Sequence, residues 1–269
     1  MQPPAAGHSQ SLERGLAILS SFSESRPLLG VADLARNVDL NKSTTHRYVA
    51  TLATLGFLQQ DPDTRKYRLG TRVVDLGFAA VNSMEITRVA GRLLQALSDE
   101  TGYTVSMAVL DGTEIVYVDR RRSAREGKFG IDLNLHVGSR LPAYCTSMGK
   151  ALLAFQPADR LKDLLERSDL ARRGPNTLTA REAVLTALQH IRQTGIAVND
   201  EELAPGLRSI AAPIRDGRGA VVAAANIAVH LSMWNAPVES IAARLEAPLR
   251  RTTDDISARL GYRGQTVGG

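Results

Sequence analysis

The chain has 269 residues, 43% of them hydrophobic and 23% charged, with a formal net charge of +5 and an isoelectric point near 9.6. That length holds two ordinary domains or one large one, and the modest positive excess suits an anionic partner without requiring one. A single cysteine, Cys145, excludes an internal disulfide and a thiolate metal cluster; no stretch approaches the roughly 18 apolar residues of a membrane span, so a soluble, cytoplasmic protein with no metal or other cofactor is expected.

Residues 1–8 lack the apolar core of a signal peptide and are expected to form a disordered tail. Ser11 to Phe22 follows as a helix with Leu12, Leu16, Leu19 and Phe22 near one face. Val31, Leu34, Ala35 and Val38 mark a second helix, Asp39-Leu40-Asn41 a turn, and Asn41 or Ser43 the cap of a third. In that third helix Thr45, Tyr48, Val49 and Leu52 form the packing stripe, which leaves Lys42, Ser43, Thr44, Arg47 and Thr51 outward. Small hydroxyls and cations on the free face of such a helix suit phosphates and base edges in a major groove. Phe57 to Gln60 and Arg65 to Leu69 read as a two-stranded wing across Asp61-Pro62-Asp63-Thr64, with Arg65, Lys66 and Arg68 placed for phosphates. Residues 9–70 are therefore expected to be a winged helix-turn-helix DNA-binding domain, and 71–101 a helical connector with Ile86, Val89, Leu93 and Leu97 on one stripe, closed by Gly102.

Residues 102–269 alternate strands and helices. Tyr103 to Leu110 and Thr113 to Arg120 form a hairpin over Asp111-Gly112, and Leu133 to Val137 reads as a third strand. Helices are expected at 145–155, 158–166, 180–194 and 237–260, the last kinked at Pro248, and strands at 196–198, 207–214 and 220–229. Antiparallel strands with helices to the side predict an α+β sensor-like domain.

Two polar clusters carry chemistry. Tyr144-Cys145-Thr146-Ser147-Met148-Gly149 starts a helix, where unpaired amides favour an anion and Gly149 permits close approach; the alternative is a plain cap by Thr146 or Ser147. Asn199-Asp200-Glu201-Glu202 leads through a turn to Arg208 and Ser209; Arg208 can pair with one of the acids, while Asn199, Ser209 and Asn226 can line a cavity. Ser147-Met148-Gly149-Lys150 also matches the Ser-x-x-Lys of serine acyl-enzymes, but their Ser-Asp-Asn and Lys-Thr-Gly companions are missing, so no catalytic residue is assigned.

Taken together, the winged helix-turn-helix, the connector, Leu141-Pro142-x-Tyr-x-Thr-x-x-Gly149-Lys150 and Asp200-Glu-Glu202-x-x-x-Gly206-Leu-Arg-Ser-Ile-Ala-Ala-Pro213 resemble the IclR family of bacterial transcriptional regulators over essentially the whole chain. The resemblance implies a GAF-like effector-binding domain and a homodimer or homotetramer on palindromic DNA operators. The finer text, Gly138 to Lys150 with Asn199 to Ser209, resembles the branch that regulates protocatechuate, 4-hydroxybenzoate and β-ketoadipate catabolism. Carried over by motif position, effector contacts fall on Leu141, Ser147, Met148, Asn199, Ser209, Asn226 and Ala228, with Tyr144, Cys145 and Thr146 beside them at the helix start. Relatives that bind very small acids have Gly-Ala where Ser147-Met148 stand, and an acid and a cysteine at the positions of Asn199 and Ser209. The expected ligand is thus a small carboxylate; an unrelated small metabolite is the alternative.

Overall fold

The computed structural model describes residues 9–23, 25–122, 135–232 and 234–264, and divides into two compact units, residues 1–83 and 84–269. The expected tail, 1–8, lies outside the described residues.

The first unit holds α1 (Gln10–Ser20), α2 (Val31–Asn37), α3 (Lys42–Thr54), β1 (Leu58–Gln60), β2 (Tyr67–Leu69) and α4 (Thr71–Ser83). Its core is Ile18, Phe22, Leu29, Leu34, Val49, Leu58 and Tyr67. Asn41 is the cap that starts α3: its Oδ1 accepts from the Thr44 amide at 2.8 Å. Asp39 enters the turn with φ +51°, a left-handed geometry that aspartate tolerates. β1 and β2 pair antiparallel, and Leu29 adds a bridge to Tyr67 that ties the wing back to the helices. The α1 stripe differs from expectation. Ile18 is its buried anchor, while Leu12 and Leu16 stand 64% and 55% exposed. One face of α1 therefore packs inward while a second apolar face is left in solvent, and α4 buries none of its residues.

The second unit holds α5 (Glu85–Thr101), β3 (Thr104–Asp111), β4 (Glu114–Arg121), β5 (Arg140–Pro142), α6 (Ser147–Ala154), α7 (Ala158–Arg167), α8 (Arg181–Thr194), β6 (Ala197–Asp200), β7 (Leu207–Arg215), β8 (Val221–His230) and α9 (Val238–Arg259). One antiparallel sheet runs β5-β4-β3-β8-β7-β6. The stretch read as a connector is thus two helices, α4 grouped with the first unit and α5 with the second. Gly102 ends α5 at φ +77°. Residues 133–134 of the expected third strand lie outside the described residues and 135–137 are irregular; the strand that forms is β5, paired to β4 through Ile115 and Leu141. α9 runs through Pro248 as one element, burying Ile241, Leu245, Leu249 and Ile256.

The sheet has two unlike faces. Against α5 and α9 lie Val105, Met107, Ile210, Ile214, Ile227 and Val229, a dry aliphatic core. Against α6 lie Ala108, Ala224, Ala211 and Ala197. Their small side chains let the helix sit close to the sheet. Two residues along the same face of each strand the alanines give way to Ser106, Asn226, Ser209 and Asn199, all buried. No helix among the described residues is long and apolar enough to cross a membrane, and no group of histidine, cysteine and acidic residues among them could hold a metal ion.

Candidate functional site

In the first unit the residues expected to touch DNA share one surface character. Lys42, Ser43, Arg47 and Thr51 are exposed on α3 and Thr44 is half-buried, while Arg65, Lys66 and Arg68 are exposed on the wing. Two hydroxyls are already engaged: Thr51 Oγ1 donates to the Arg47 carbonyl at 3.0 Å, and Ser43 Oγ donates to Asn41 Oδ1 at 2.9 Å. The wing turn is held by Asp61, which accepts from the Thr64 amide and hydroxyl, both at 2.8 Å; those bonds hold its carboxyl below the usual range. Arg65 sits at φ +57° inside that turn, so Arg65 and Lys66 project from the wing tip, beyond the strand itself. Arg68 donates to Gln59 Oε1 across the hairpin at 3.2 Å.

In the second unit a cavity of about 60 Å³ opens where the alanine seat of α6 ends. Thr146, Ser147, Met148, Asn199, Ser209, Asn226 and Ala228 line it, together with Ser106, Tyr117, Arg120, Leu135, Leu203, Leu207 and His230. Thr146 caps α6, its Oγ1 accepting from the Gly149 amide at 3.1 Å. Ser147 is therefore free of capping duty. Its hydroxyl meets that of Ser209 at 2.7 Å, joining the helix start to β7. Asn199 Nδ2 donates to the Cys145 carbonyl at 2.6 Å, and Asn199 Oδ1 accepts from the Glu202 amide at 3.3 Å. Beneath this layer Lys150 Nζ donates to Glu202 Oε1, both side chains buried. Burial raises the Glu202 pKa, and the Lys150 charge opposes the rise.

Leu141, Tyr144 and Cys145 are placed off the cavity. Leu141 packs on the cluster around α6, and the Tyr144 hydroxyl donates to the Ala171 carbonyl. The Cys145 thiol lies 3.9 Å from the Pro142 carbonyl and burial pushes its pKa up to about 11, which leaves it a poor nucleophile. The expectation for Gly149 needs correcting. A Cβ there would stand 2.2 Å from the Ala143 carbonyl oxygen, so its close approach is to the chain's own backbone and not to a ligand. The acidic run is no idle turn: Arg208 pairs with both Asp200 and Glu201.

Sequence reasoning missed Ser106, Tyr117, Arg120, Leu135, Leu203, Leu207 and His230 among the lining residues, and for Arg120 the cause is a bulge. Ala108 pairs with Tyr117 but Met107 pairs with Asp119, so Val118 is one residue too many for β3. Strict alternation would turn Arg120 away from Tyr117. The extra residue returns it to the cavity face, opposite Ser106, whose Oγ accepts from Nη1 at 3.5 Å. The buried Tyr117 phenol is pushed up to about 12, against the pull of that cation.

Comparison with known proteins agrees with both halves. A family model for the IclR helix-turn-helix domain matches residues 11–62, and one for the bacterial transcriptional regulator IclR C-terminal region matches 78–258. The HTH-type transcriptional regulator XynR of Escherichia coli K12 is 34% identical over 253 residues, 94% of this chain and 98% of its own. The Pca regulon regulatory protein of Pseudomonas putida is 38% identical over 221 residues, 82% of this chain and 74% of its own. An IclR homologue from Microbacterium hydrocarbonoxydans, solved with 4-hydroxybenzoate, superposes with a TM-score of 0.80 at 27% identity, covering 93% of this chain and 99% of that one.

Proposed function

This chain belongs to the IclR family and is a DNA-binding transcriptional regulator with a C-terminal ligand-binding domain, not an enzyme; we propose that it is a cytoplasmic homodimer or homotetramer that reads a palindromic operator and responds to a small carboxylate of aromatic-compound catabolism. The observation that carries the ligand reading is the cavity at the start of α6. There the Ser147 and Ser209 hydroxyls and the first amides of the helix converge, a disposition that favours an anion. Asn199, where small-acid relatives carry an acid, keeps the wall neutral and so removes a like charge from the approach of a carboxylate. The Pseudomonas relative of 38% identity and the 4-hydroxybenzoate complex support the aromatic branch.

Met148, Leu203 and Leu207 line the cavity with flexible aliphatic side chains, and a ligand selects the arrangement of them that fits it. Ligand and operator then influence each other reciprocally, by about 1–3 kcal/mol. Self-association rests on the apolar surface of the first unit: Leu12 and Leu16 on α1, and Val74, Leu76 and Phe78 on α4, are each more than half exposed.

The test is the melting temperature of the purified chain with β-ketoadipate, protocatechuate, 4-hydroxybenzoate, glyoxylate and pyruvate. A ligand at 100 times its Kd adds about 2.7 kcal/mol. A shift confined to the first three, and a change in operator affinity with the same compound, is expected. A response to glyoxylate or pyruvate alone would overturn the aromatic branch.

A further inference from the structure

We infer that residues 171–177, in the segment between α7 and α8, clamp the turn that follows β6 and so aim Asn199 into the cavity, and that Thr177 is a positioning residue for the effector although it lines no part of the cavity. The inference rests on the proposal that this cavity holds the effector, and it adds what sets one of its walls.

The turn needs holding. Glu201 sits at φ +56°, a left-handed geometry that non-glycine residues rarely adopt and that persists only where the surroundings over-determine it. Residues of 171–177 meet three consecutive carbonyls of that turn. Asn176 Nδ2 donates to the Asp200 carbonyl at 3.1 Å. Gly174 packs so close to Glu201 that a Cβ would stand 2.0 Å from its carbonyl oxygen. Thr177, 5% exposed, has two carbonyls within reach of its hydroxyl proton, and the nearer is that of Glu202 at 2.6 Å, against 2.9 Å for Gly174. The same hydroxyl accepts from the Arg173 and Gly174 amides at 2.9 and 2.7 Å. A hydroxyl has one proton and two lone pairs, so Thr177 is fully engaged.

These contacts close a ring. At the other end of the segment the Ala171 carbonyl accepts from the Tyr144 hydroxyl, and the next residue, Cys145, offers its carbonyl to Asn199 Nδ2 at 2.6 Å. Asn199 Oδ1 accepts from the amide of Glu202, the residue whose carbonyl Thr177 holds. The segment therefore joins the start of α6 to the end of β6 from behind, and Thr177 acts on the cavity only through the carboxamide of Asn199. A wall group held in this way presents fixed hydrogen-bonding directions to a ligand.

The experiment is nuclear magnetic resonance of the full chain, perdeuterated and labelled with nitrogen-15 at asparagine, with Thr177→Val, Thr177→Ser and Asn176→Ala. Peaks lost in Asn199→Ala and Asn226→Ala assign the two carboxamides that line the cavity. Thr177→Val, which keeps the shape and removes the hydroxyl, should move the Asn199 resonances toward those of a water-exposed carboxamide, and Thr177→Ser should hold them in place. Asn226, two strands away on β8, should stay put and reports any general loosening. Asn176→Ala removes one bond from an exposed side chain and should move Asn199 the same way but less; it decides the matter if Thr177→Val does not fold. Calorimetry with β-ketoadipate, protocatechuate and 4-hydroxybenzoate reads the consequence: Thr177→Val should weaken the acid that binds by about threefold or more, and Thr177→Ser by less than about twofold. Unmoved Asn199 resonances, an equal shift of Asn226, or unchanged affinity in Thr177→Val would overturn the clamp. Binding of none of the three acids by the wild type would instead overturn the effector reading beneath it, since the resonances are read without ligand.

Discussion

Replacing Lys150 by methionine tests whether the ion pair under the cavity carries the fold of the second unit. Lys150 and Glu202 are 4% and 8% exposed, and they join α6 to the loop after β6, where the Glu202 amide donates to Asn199 of that strand. Taking one partner from a buried pair strands the other and costs about 3–5 kcal/mol, against a total stability of about 5–15. Glu202 Oε2 has no hydrogen-bond partner among the described residues, so little remains to compensate. The loss should depend on pH. Burial raises the Glu202 pKa in the native chain despite Lys150, so above the ordinary carboxylate range the native chain holds a proton that the unfolded chain releases. Stability therefore falls with rising pH across that interval. Removing Lys150 deletes the influence that lowers the pKa and extends the interval upward. The deficit of Lys150→Met should accordingly be least near pH 5 and grow toward pH 8, at no more than about 1.4 kcal/mol per pH unit. Urea unfolding followed by fluorescence reads this unit alone, because the sole tryptophan, Trp234, stacks on Tyr103 within it. Lys150→Met with Glu202→Leu, which removes the stranded acid, should recover most of the loss. A single variant costing under 1 kcal/mol at pH 8, or a double variant no better than the single, would refute the argument.

Arg47→Ala should weaken operator binding by about 1–3 kcal/mol and relax sequence preference, whereas Lys42→Ala should weaken all sequences alike and reduce the salt slope by about 1; fluorescence anisotropy at several salt concentrations separates them. Phe78→Glu puts a charge into the apolar surface of α4, where Phe78 is 64% exposed, and should shift sedimentation toward monomer without lowering the melting temperature of the second unit. Asn199→Asp deletes the donor to the Cys145 carbonyl and adds a like charge, so carboxylate affinity should fall tenfold or more by calorimetry.

What was legible in the sequence followed periodicity and caps. Most helices of both units and the strands β3, β4, β7 and β8 came through because each buries a regular stripe, although α4 buries none of its residues and α6 buries all of them; β7 and β8 pair without interruption from Leu207 to Ile214. Legibility failed where a pattern has two partners or a register breaks. Leu12 and Leu16 fit a helical stripe as well as Ile18 does, and the apolar pattern does not say which face meets the chain itself. β5 is three residues long and too short to show alternation. Val118 looks like any strand residue, yet it decides the side on which Arg120 emerges, and only pairing with β3 exposes it as an insertion. Gly149 was legible as a position needing space, but not what fills that space: Ala143, six residues before it.

The division of labour on one sheet face explains how relatives named for different pathways share this fold. The seat of α6 is made of alanines and of Gly149, where any added atom meets backbone; those positions answer to packing. The cavity begins two residues further along each strand, where Ser106, Ser209 and Asn199 bond to Arg120, Ser147 and the Cys145 carbonyl, and Asn226 Oδ1 has no hydrogen-bond partner among the described residues. A substitution there alters which ligand groups are satisfied and leaves the alanine contact intact. Lys150 and Glu202 are the exception, since they lie beneath the cavity and brace helix and loop together. Ligand preference can therefore drift through Arg120, Asn199 and Ser209 without disturbing the alanine seat, whereas a change at Gly149 or Lys150 alters the frame that every ligand would need.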